Sequence, residues 1–222
     1  MRRRARIPKP CLARLPVYYR RVLRALEEGK KVISSQELGQ AAGVPAAQVR
    51  KDLSHIGELG RAGIGYETQM LAATLQEFLG LTNDKEAIIV GAGNLGRALA
   101  AYPGFERYGL RIVALFDHNP NKIGTTIAGK KVYPLEKMEE LVRQWNVQIG
   151  ILTVPSSQAQ AVADLMVQAG IEVIWNFAPF CLQVPPHVLV ENEDLAARLA
   201  TISYHIARRR ALSQLSGVQS SD

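Results

Sequence analysis

Only two cysteines, Cys11 and Cys181, occur in the 222 residues of this chain. They allow no disulfide framework and no cysteine-based metal cluster, and so low a count suits a cytoplasmic protein. Long hydrophobic runs are missing too. No apolar stretch approaches the ~20 residues needed to span a bilayer, so no membrane partner is expected. The opening Arg2-Arg3-Arg4 resembles the start of an export signal, but Lys9, Arg14, Arg20 and Arg21 interrupt any apolar region behind it. Histidine is scarce, and His55, His118, His187 and His205 form no constellation with a carboxylate suited to acid–base catalysis. Neither a catalytic residue nor a metal is expected, and there is no internal repeat.

What is present is globular: 47% hydrophobic and 21% charged residues, in a length that suits one ordinary domain plus a small one, or two compact domains. The net charge of +7 is unevenly placed. Residues 1–60 hold 13 lysines and arginines against five acidic residues, whereas the remainder holds 14 against 15. Such an asymmetry is the footprint of a polyanion-binding module joined to a neutral one, the alternative being a solvated basic tail.

The stretch A-I-I-V-G-A-G-N-L-G, Ala87 to Gly96, organises the neutral part. Its apolar run suits a parallel strand buried on both faces. Gly91, Ala92 and Gly93 then form the turn, and Asn94, Leu95 and Gly96 open a helix. In the dinucleotide fingerprint the first glycine permits the turn, the second leaves room for a pyrophosphate, and the third lets helix and strand pack closely. The helix N–H groups would point at the phosphates. Asp117 ends a second apolar run 21 residues after Gly96, where a carboxylate accepts from the adenosine ribose hydroxyls and repels a 2′-phosphate. NAD(H) is therefore expected over NADP(H), with nearby Lys122 blurring the preference. The bland reading of Asp117 is a solvated turn residue. Further strands ending at Thr153-Val154-Pro155 and at Asn176–Pro179 would bring their tips to the same carboxyl edge.

Within the basic part, a helix is expected from about Pro16 to Gly29. Ser34 and Glu37 form a capping box for a second helix, Leu38–Ala42, and a third runs from Ala46 to about Ile56. Two short helices about Gly43 make a helix-turn-helix, whose third helix turns Gln48, Arg50, Lys51 and Ser54 away from its core toward base edges and phosphates. A small helical bundle with a polar face is the alternative. The glycine-dense segment 57–66 reads as a hairpin wing with Arg61 near its tip, either a minor-groove probe or an ordinary exposed turn residue. The last helix, Asp194 to about Leu212, carries Leu195, Leu199, Ile202 and Ile206 on one stripe, which packs on its own subunit or crosses to a partner.

These pieces sum to an α/β protein: an N-terminal winged helix-turn-helix followed by a Rossmann-like, doubly wound parallel sheet. The expected divisions are 1–80 for DNA binding, 81–192 for NAD(H), 193–212 for a dimerisation helix and 213–222 for a disordered tail.

In this order of parts the chain resembles the Rex family of redox-sensing transcriptional repressors. The resemblance covers about residues 7–210 and rests on V-R-K-D-L-S (Val49–Ser54), G-I-G-Y (Gly63–Tyr66), I-V-G-A-G-N-L-G-R-A-L (Ile89–Leu99), Y-P-G-F (Tyr102–Phe105), L-T-V-P (Leu152–Pro155), N-F-A-P (Asn176–Pro179) and V-E-N-E-D-L (Val190–Leu195). It implies a homodimeric repressor that binds an inverted-repeat operator and leaves it when NADH binds, with the C-terminal helix exchanged between subunits. Carried over by motif, Arg50, Lys51 and Ser54 belong to the recognition helix. Gly93, Leu95, Gly96, Asp117, Thr153, Val154, Pro155, Asn176 and Ala178 belong to the NADH and NAD site. Tyr102 matches a sensing tyrosine, and Arg20 and Asp194 match an interdomain polar network. Two positions depart: Ala62 where many relatives carry a basic wing residue, and Leu195 where some carry a phenylalanine beside the nicotinamide.

The rival is a small NAD-dependent oxidoreductase with an accessory nucleic-acid-binding domain. Once residues 1–80 are assigned, little more than a cofactor domain remains, without room for a substrate domain, so the sensor reading is preferred.

Overall fold

The computed structural model describes residues 7–57, 59–61, 63–82 and 85–218, with the side chains of 195, 198 and 210–218 outside that description. The basic arm Arg2–Arg6, Ala62 and the Leu195 side chain therefore lie outside the described residues. The chain forms two compact units, Met1–Asn83 and Asp84–Asp222.

The first unit opens with α1 (Lys9–Glu27), capped by Pro8. The expected start near Pro16 is corrected: Pro10 occupies the first turn, where a missing N–H costs nothing, and Pro16 lies inside the helix. Pro16 removes one helical hydrogen bond. Around it Leu15, Tyr18, Tyr19, Val22 and Ala25 are buried, and that burial carries the helix across the break. After β1 (Val32–Ile33), α2 (Ser35–Ala42) starts at the Ser34–Glu37 capping box: the Ser34 hydroxyl accepts from the Glu37 N–H at 3.2 Å and the Glu37 carboxylate accepts from the Ser34 N–H at 3.1 Å. Gly39 permits the turn that follows, since a Cβ there would overlap the Val44 carbonyl. Next come α3 (Ala46–Ser54), β2 (Gly60–Arg61), β3 (Gly65–Glu67) and α4 (Thr68–Phe78). Strands β2 and β3 pair antiparallel as the wing, and β1 pairs with β3 to complete a three-stranded sheet. Helix α1 packs on α2 and α4, over a core of Leu15, Tyr18, Ile33, Leu38, Leu53, Leu71 and Leu75.

The second unit runs β4 (Lys85–Val90), α5 (Asn94–Ala100), β5 (Leu110–Asp117), β6 (Thr126–Ile127), β7 (Lys130–Pro134), α6 (Met138–Trp145), β8 (Ile149–Leu152), α7 (Ser156–Ala169), β9 (Val173–Asn176), β10 (Leu189–Asn192) and α8 (Leu195–Val218). The sheet order is β10-β9-β8-β4-β5-β7-β6, parallel throughout except for the β6–β7 hairpin. This is the doubly wound Rossmann order, and the chain reverses direction across the sheet between β4 and β8. Alternation explains the two layers. Ile88, Val90, Ala114 and Phe116 face α6 and α7, while Ala87, Ile89 and Leu115 face the α5 side with Ala100.

Helix α8 begins under Asp194, whose Oδ1 accepts from the N–H groups of Ala196 and Ala197, both at 2.9 Å. It continues to Val218, past the end expected at Leu212 and into the tail expected to be disordered. Polarity alone does not stop a helix, and no glycine or proline intervenes before Gly217. Leu199, Ile202 and Ile206 lie exposed along it.

Candidate functional site

At the switch point, Val90 hands the chain to Gly91, whose φ is +106°. A Cβ at Gly91 would stand 2.8 Å from the Thr153 carbonyl, so the turn and the tip of β8 touch closely. Thr153 braces this contact by donating its hydroxyl to the carbonyls of Gly91 (2.8 Å) and Val90 (3.1 Å). Gly96 is needed for packing, because a Cβ there would collide with the Gly91 carbonyl. Gly93 differs: the space beside it is open. By helix geometry the amides of Asn94, Leu95 and Gly96 at the head of α5 have no partner within the helix.

Gly91, Gly93 and Thr153 border a cleft of about 210 Å³, where they meet Asp117, Val154 and Pro155 from the expected set. Val90, His118, Leu135, Gln158 and Val162 complete its walls together with Lys122. Sequence reading missed Leu135 and Val162, whose apolar side chains suit a flat aromatic group. The only signal for them was proximity to strand tips.

Asp117 is buried at the rim. Its Oδ2 accepts from the Ala92 N–H (2.8 Å) and the Lys122 ammonium (3.0 Å), and its Oδ1 from the Asn119 N–H (2.9 Å). Burial opposes ionisation, but the Asn119 amide, Lys122 and the Ala92 amide together outweigh it and hold the carboxyl below the usual range. A carboxylate has about four acceptor positions, so one on Oδ1, with the His118 Nδ1 at 3.7 Å and outside hydrogen-bond distance, remains for a hydroxyl. The Ala92 N–H, by contrast, is already spent on Asp117.

Of the expected set, Ala92, Asn94, Leu95 and Gly96 belong to the turn and helix head without lining this cleft, and Asn176, Ala178 and Tyr102 are not part of it either. Asn176 is buried, with its amide bonded to Ala178, Phe180 and Asn192 of its own unit. Ala178 is buried behind it. Tyr102 is exposed and meets Phe105 edge-on, from which a chain of ring contacts continues through Trp175 to Phe177. Arg20 is exposed on α1 of the first unit, and Asp194 caps α8 of the second.

In the first unit a groove of about 640 Å³ runs between α3 and the wing, bordered by Ser35, Arg50, Ser54, Arg61, Ile64 and Tyr66. Arg50 reaches across it to the Ser35 hydroxyl at 3.2 Å. Lys51 projects from the other side of α3, beside Gln48 and His55. Arg50, Lys51, Ser54 and Arg61 are all exposed. Gln48 is half-buried, and its Nε2 donates one of its two N–H groups to Asp52 at 2.8 Å, leaving its oxygen and second N–H for other partners. Asp52 also accepts from Arg14 through Nε (2.6 Å) and a second guanidinium nitrogen (2.8 Å), and from the Tyr18 hydroxyl (2.8 Å). That buried cluster, invisible to hydrophobic periodicity, fastens α3 to α1. Among the described residues no group of histidine, cysteine and carboxylate side chains is arranged to hold a metal ion.

Comparison with known proteins gives matches to each unit and to the whole. Residues 6–54 match the family described as "Putative DNA-binding protein N-terminus", and residues 82–180 match the CoA binding domain family. The redox-sensing transcriptional repressor Rex of Desulfitobacterium hafniense is 43% identical over 206 residues, covering 93% of this chain and 98% of its own. Among solved structures, RSP in complex with β-NAD+ and operator DNA superposes with a TM-score of 0.86 at 39% identity, covering 96% of this chain and 98% of that one. RSP in complex with β-NADH gives 0.85 at 38% identity, covering 95% and 99%.

Proposed function

The chain belongs to the Rex family of redox-sensing transcriptional repressors, and from that premise we infer how its two sites act together. It is a regulator that binds DNA and NAD(H), not an enzyme. The observation that carries the mechanism is the pairing, in one chain, of an exposed cationic helix-and-wing groove with a glycine-turn cleft whose buried carboxylate keeps one free acceptor.

On this reading Arg50 and Lys51 meet phosphates and base edges from the two sides of α3, with Ser54 and the oxygen of Gln48 beside them, and Arg61 reaches the minor groove from the wing. Two copies, joined through the apolar stripe of α8, present two recognition helices to an inverted repeat with half-sites about one helical turn apart. The protein acts in the cytoplasm. In the second unit, the amides of Asn94, Leu95 and Gly96 and the open space at Gly93 receive a pyrophosphate, and Asp117 orients the adenosine ribose. The open side of Gly93 and the spare acceptor on Asp117 fit a dinucleotide.

Discrimination between the two redox forms has to come from the nicotinamide, because phosphates and riboses are common to both. The apolar turn Phe177–Pro179, with Tyr102 at the outer end of the ring contacts, favours a neutral ring over a positively charged one that would lose its hydration there. NADH is thus the tighter ligand and stabilises the dimer arrangement that does not fit the operator. Arg20, exposed on α1, and Asp194, at the head of α8, are the residues whose replacement is expected to alter this release. The test is a mobility-shift titration on inverted-repeat promoter DNA. NADH is expected to release the DNA where equal NAD+ does not, and full retention at saturating NADH would contradict the mechanism.

A further inference from the structure

The tip of β9 carries a side chain whose bonding is entirely internal. Asn176 is 1% exposed. Its Oδ1 accepts from the Ala178 N–H at 2.9 Å, and its Nδ2 donates to the Phe180 carbonyl at 2.9 Å and to Asn192 Oδ1 at 2.8 Å. The backbone partners settle which way the amide points. Oxygen must face the Ala178 N–H and nitrogen the Phe180 carbonyl, so Asn192 is met by an N–H and must offer an oxygen.

One buried amide therefore grips two segments. On one side is the turn Phe177–Phe180, itself closed by the Phe180 N–H donating to the Ala178 carbonyl at 2.7 Å. On the other is Asn192, the last residue of β10, paired in register with Asn176. The backbone repeats the join, since the Glu193 N–H donates to the Asn176 carbonyl at 2.8 Å. The next residue, Asp194, caps α8.

We propose that Asn192 is a positioning residue for sensing, whose side-chain oxygen locks the apolar turn Phe177–Phe180, through Asn176, to the start of α8. The proposal rests on the reading that this turn faces the nicotinamide ring and that α8 joins the subunits. Asn192 needs to touch neither ring nor DNA. With the lock in place, a displacement of the turn carries the base of α8 with it; without the lock, the turn adjusts alone and the two dimer arrangements lose part of their difference in NADH affinity. Asn192 is itself exposed, so changing it leaves the core intact.

The experiment uses the full chain with Asn192→Leu, which removes the acceptor, and Asn192→Asp, which keeps it. Asn192→Leu is expected to bind promoter DNA without nucleotide, and ADP-ribose, as the wild type does. Its NADH requirement for DNA release should rise about tenfold, within the usual range of coupling energies. In the nucleotide-free protein the Ala178 amide should exchange hydrogen faster. Asn192→Asp should follow the wild type in every readout. Unchanged NADH release and unchanged Ala178 exchange in Asn192→Leu would overturn the proposal, as would equal defects in both variants. If NADH fails to release the wild type, the functional reading itself falls and takes the sensing role with it, while Ala178 exchange still reports whether Asn192 holds the turn.

Discussion

Asp52 in the winged-helix unit and Asp117 at the Rossmann switch point are both buried carboxylates, and both are held ionised by donors from their own chain. They differ in one position. Asp52 receives four donors: two from Arg14, one each from Tyr18 and Gln48. Asp117 receives three, from Ala92, Asn119 and Lys122, and stands on a cleft. A carboxylate with all its acceptor positions filled is scaffold. One with a position left over, facing open space, is ready for a ligand. The count of remaining acceptors separates the two where burial and charge do not.

Removing each carboxylate should expose that difference. Asp52→Ala leaves a part-buried guanidinium and a buried phenol without their partner, so ~3–5 kcal/mol of stability should be lost and DNA binding with it. Chemical denaturation of the full chain measures this, and a loss under ~1 kcal/mol would show that α3 is held by packing alone. Acid should act in the same direction more gradually. Asp52 lies below its ordinary range, its burial cost outweighed by Arg14, Gln48 and Tyr18, and Glu37 is held down to about 2, chiefly by Lys30. Groups with lowered folded pKa values contribute fully above the unfolded value, which for Glu37 is 4.5, and lose that contribution as pH falls through the folded one. Unfolding of the first unit is therefore expected to set in below about pH 4.

Asp117→Ala should be the milder change for stability and the sharper one for ligand. If Asp117 accepts from the ribose as proposed, that charge-assisted bond is worth ~1.5–3 kcal/mol, so calorimetry should find NADH bound about 10–100-fold more weakly, with the preference over NADPH reduced. Unaltered affinity in a folded variant would place the ribose elsewhere. Lys122→Met should have the smallest effect. It frees a second acceptor on Asp117 and removes a charge that would welcome a 2′-phosphate, so the NADH-over-NADPH ratio should rise by the ~0–1 kcal/mol typical of a part-exposed pair. A large fall in NADH affinity would instead make Lys122 a direct ligand contact.

What was legible in the sequence was local. The spacing of Gly91, Gly93 and Gly96, the Ser34–Glu37 capping box and the helix-closing Gly43 each act within a few residues and need no tertiary information. Strand-tip reasoning likewise drew Asp117 and Thr153-Val154-Pro155 to one edge, because parallel strands end on the same side. Strands β1 and β10 escaped because a two-residue strand and an exposed edge strand carry no period. Pro16 reads as a helix start on propensity alone, whereas the burial of α1 carries the helix through it. The Asp52 cluster was unreadable for a different reason: Arg14 and Tyr18 lie 38 and 34 residues from Asp52, and a polar residue in a core leaves no mark until its partners meet. The family motif directs Asn176 to the cofactor, whereas its internal bonding with Asn192 depends on β10 lying beside β9, a pairing that no local pattern encodes.

If the cleft at Asp117 and the groove at Arg50 share one equilibrium, as proposed, their affinities are tied by linkage. NADH affinity should be measured calorimetrically on the free protein and on protein saturated with inverted-repeat promoter DNA, alongside DNA affinity with and without saturating NADH. NADH is expected to bind more weakly to the DNA complex, by the same factor by which NADH weakens DNA binding. Equal NADH affinity in the two states would contradict it, however well each site performs alone.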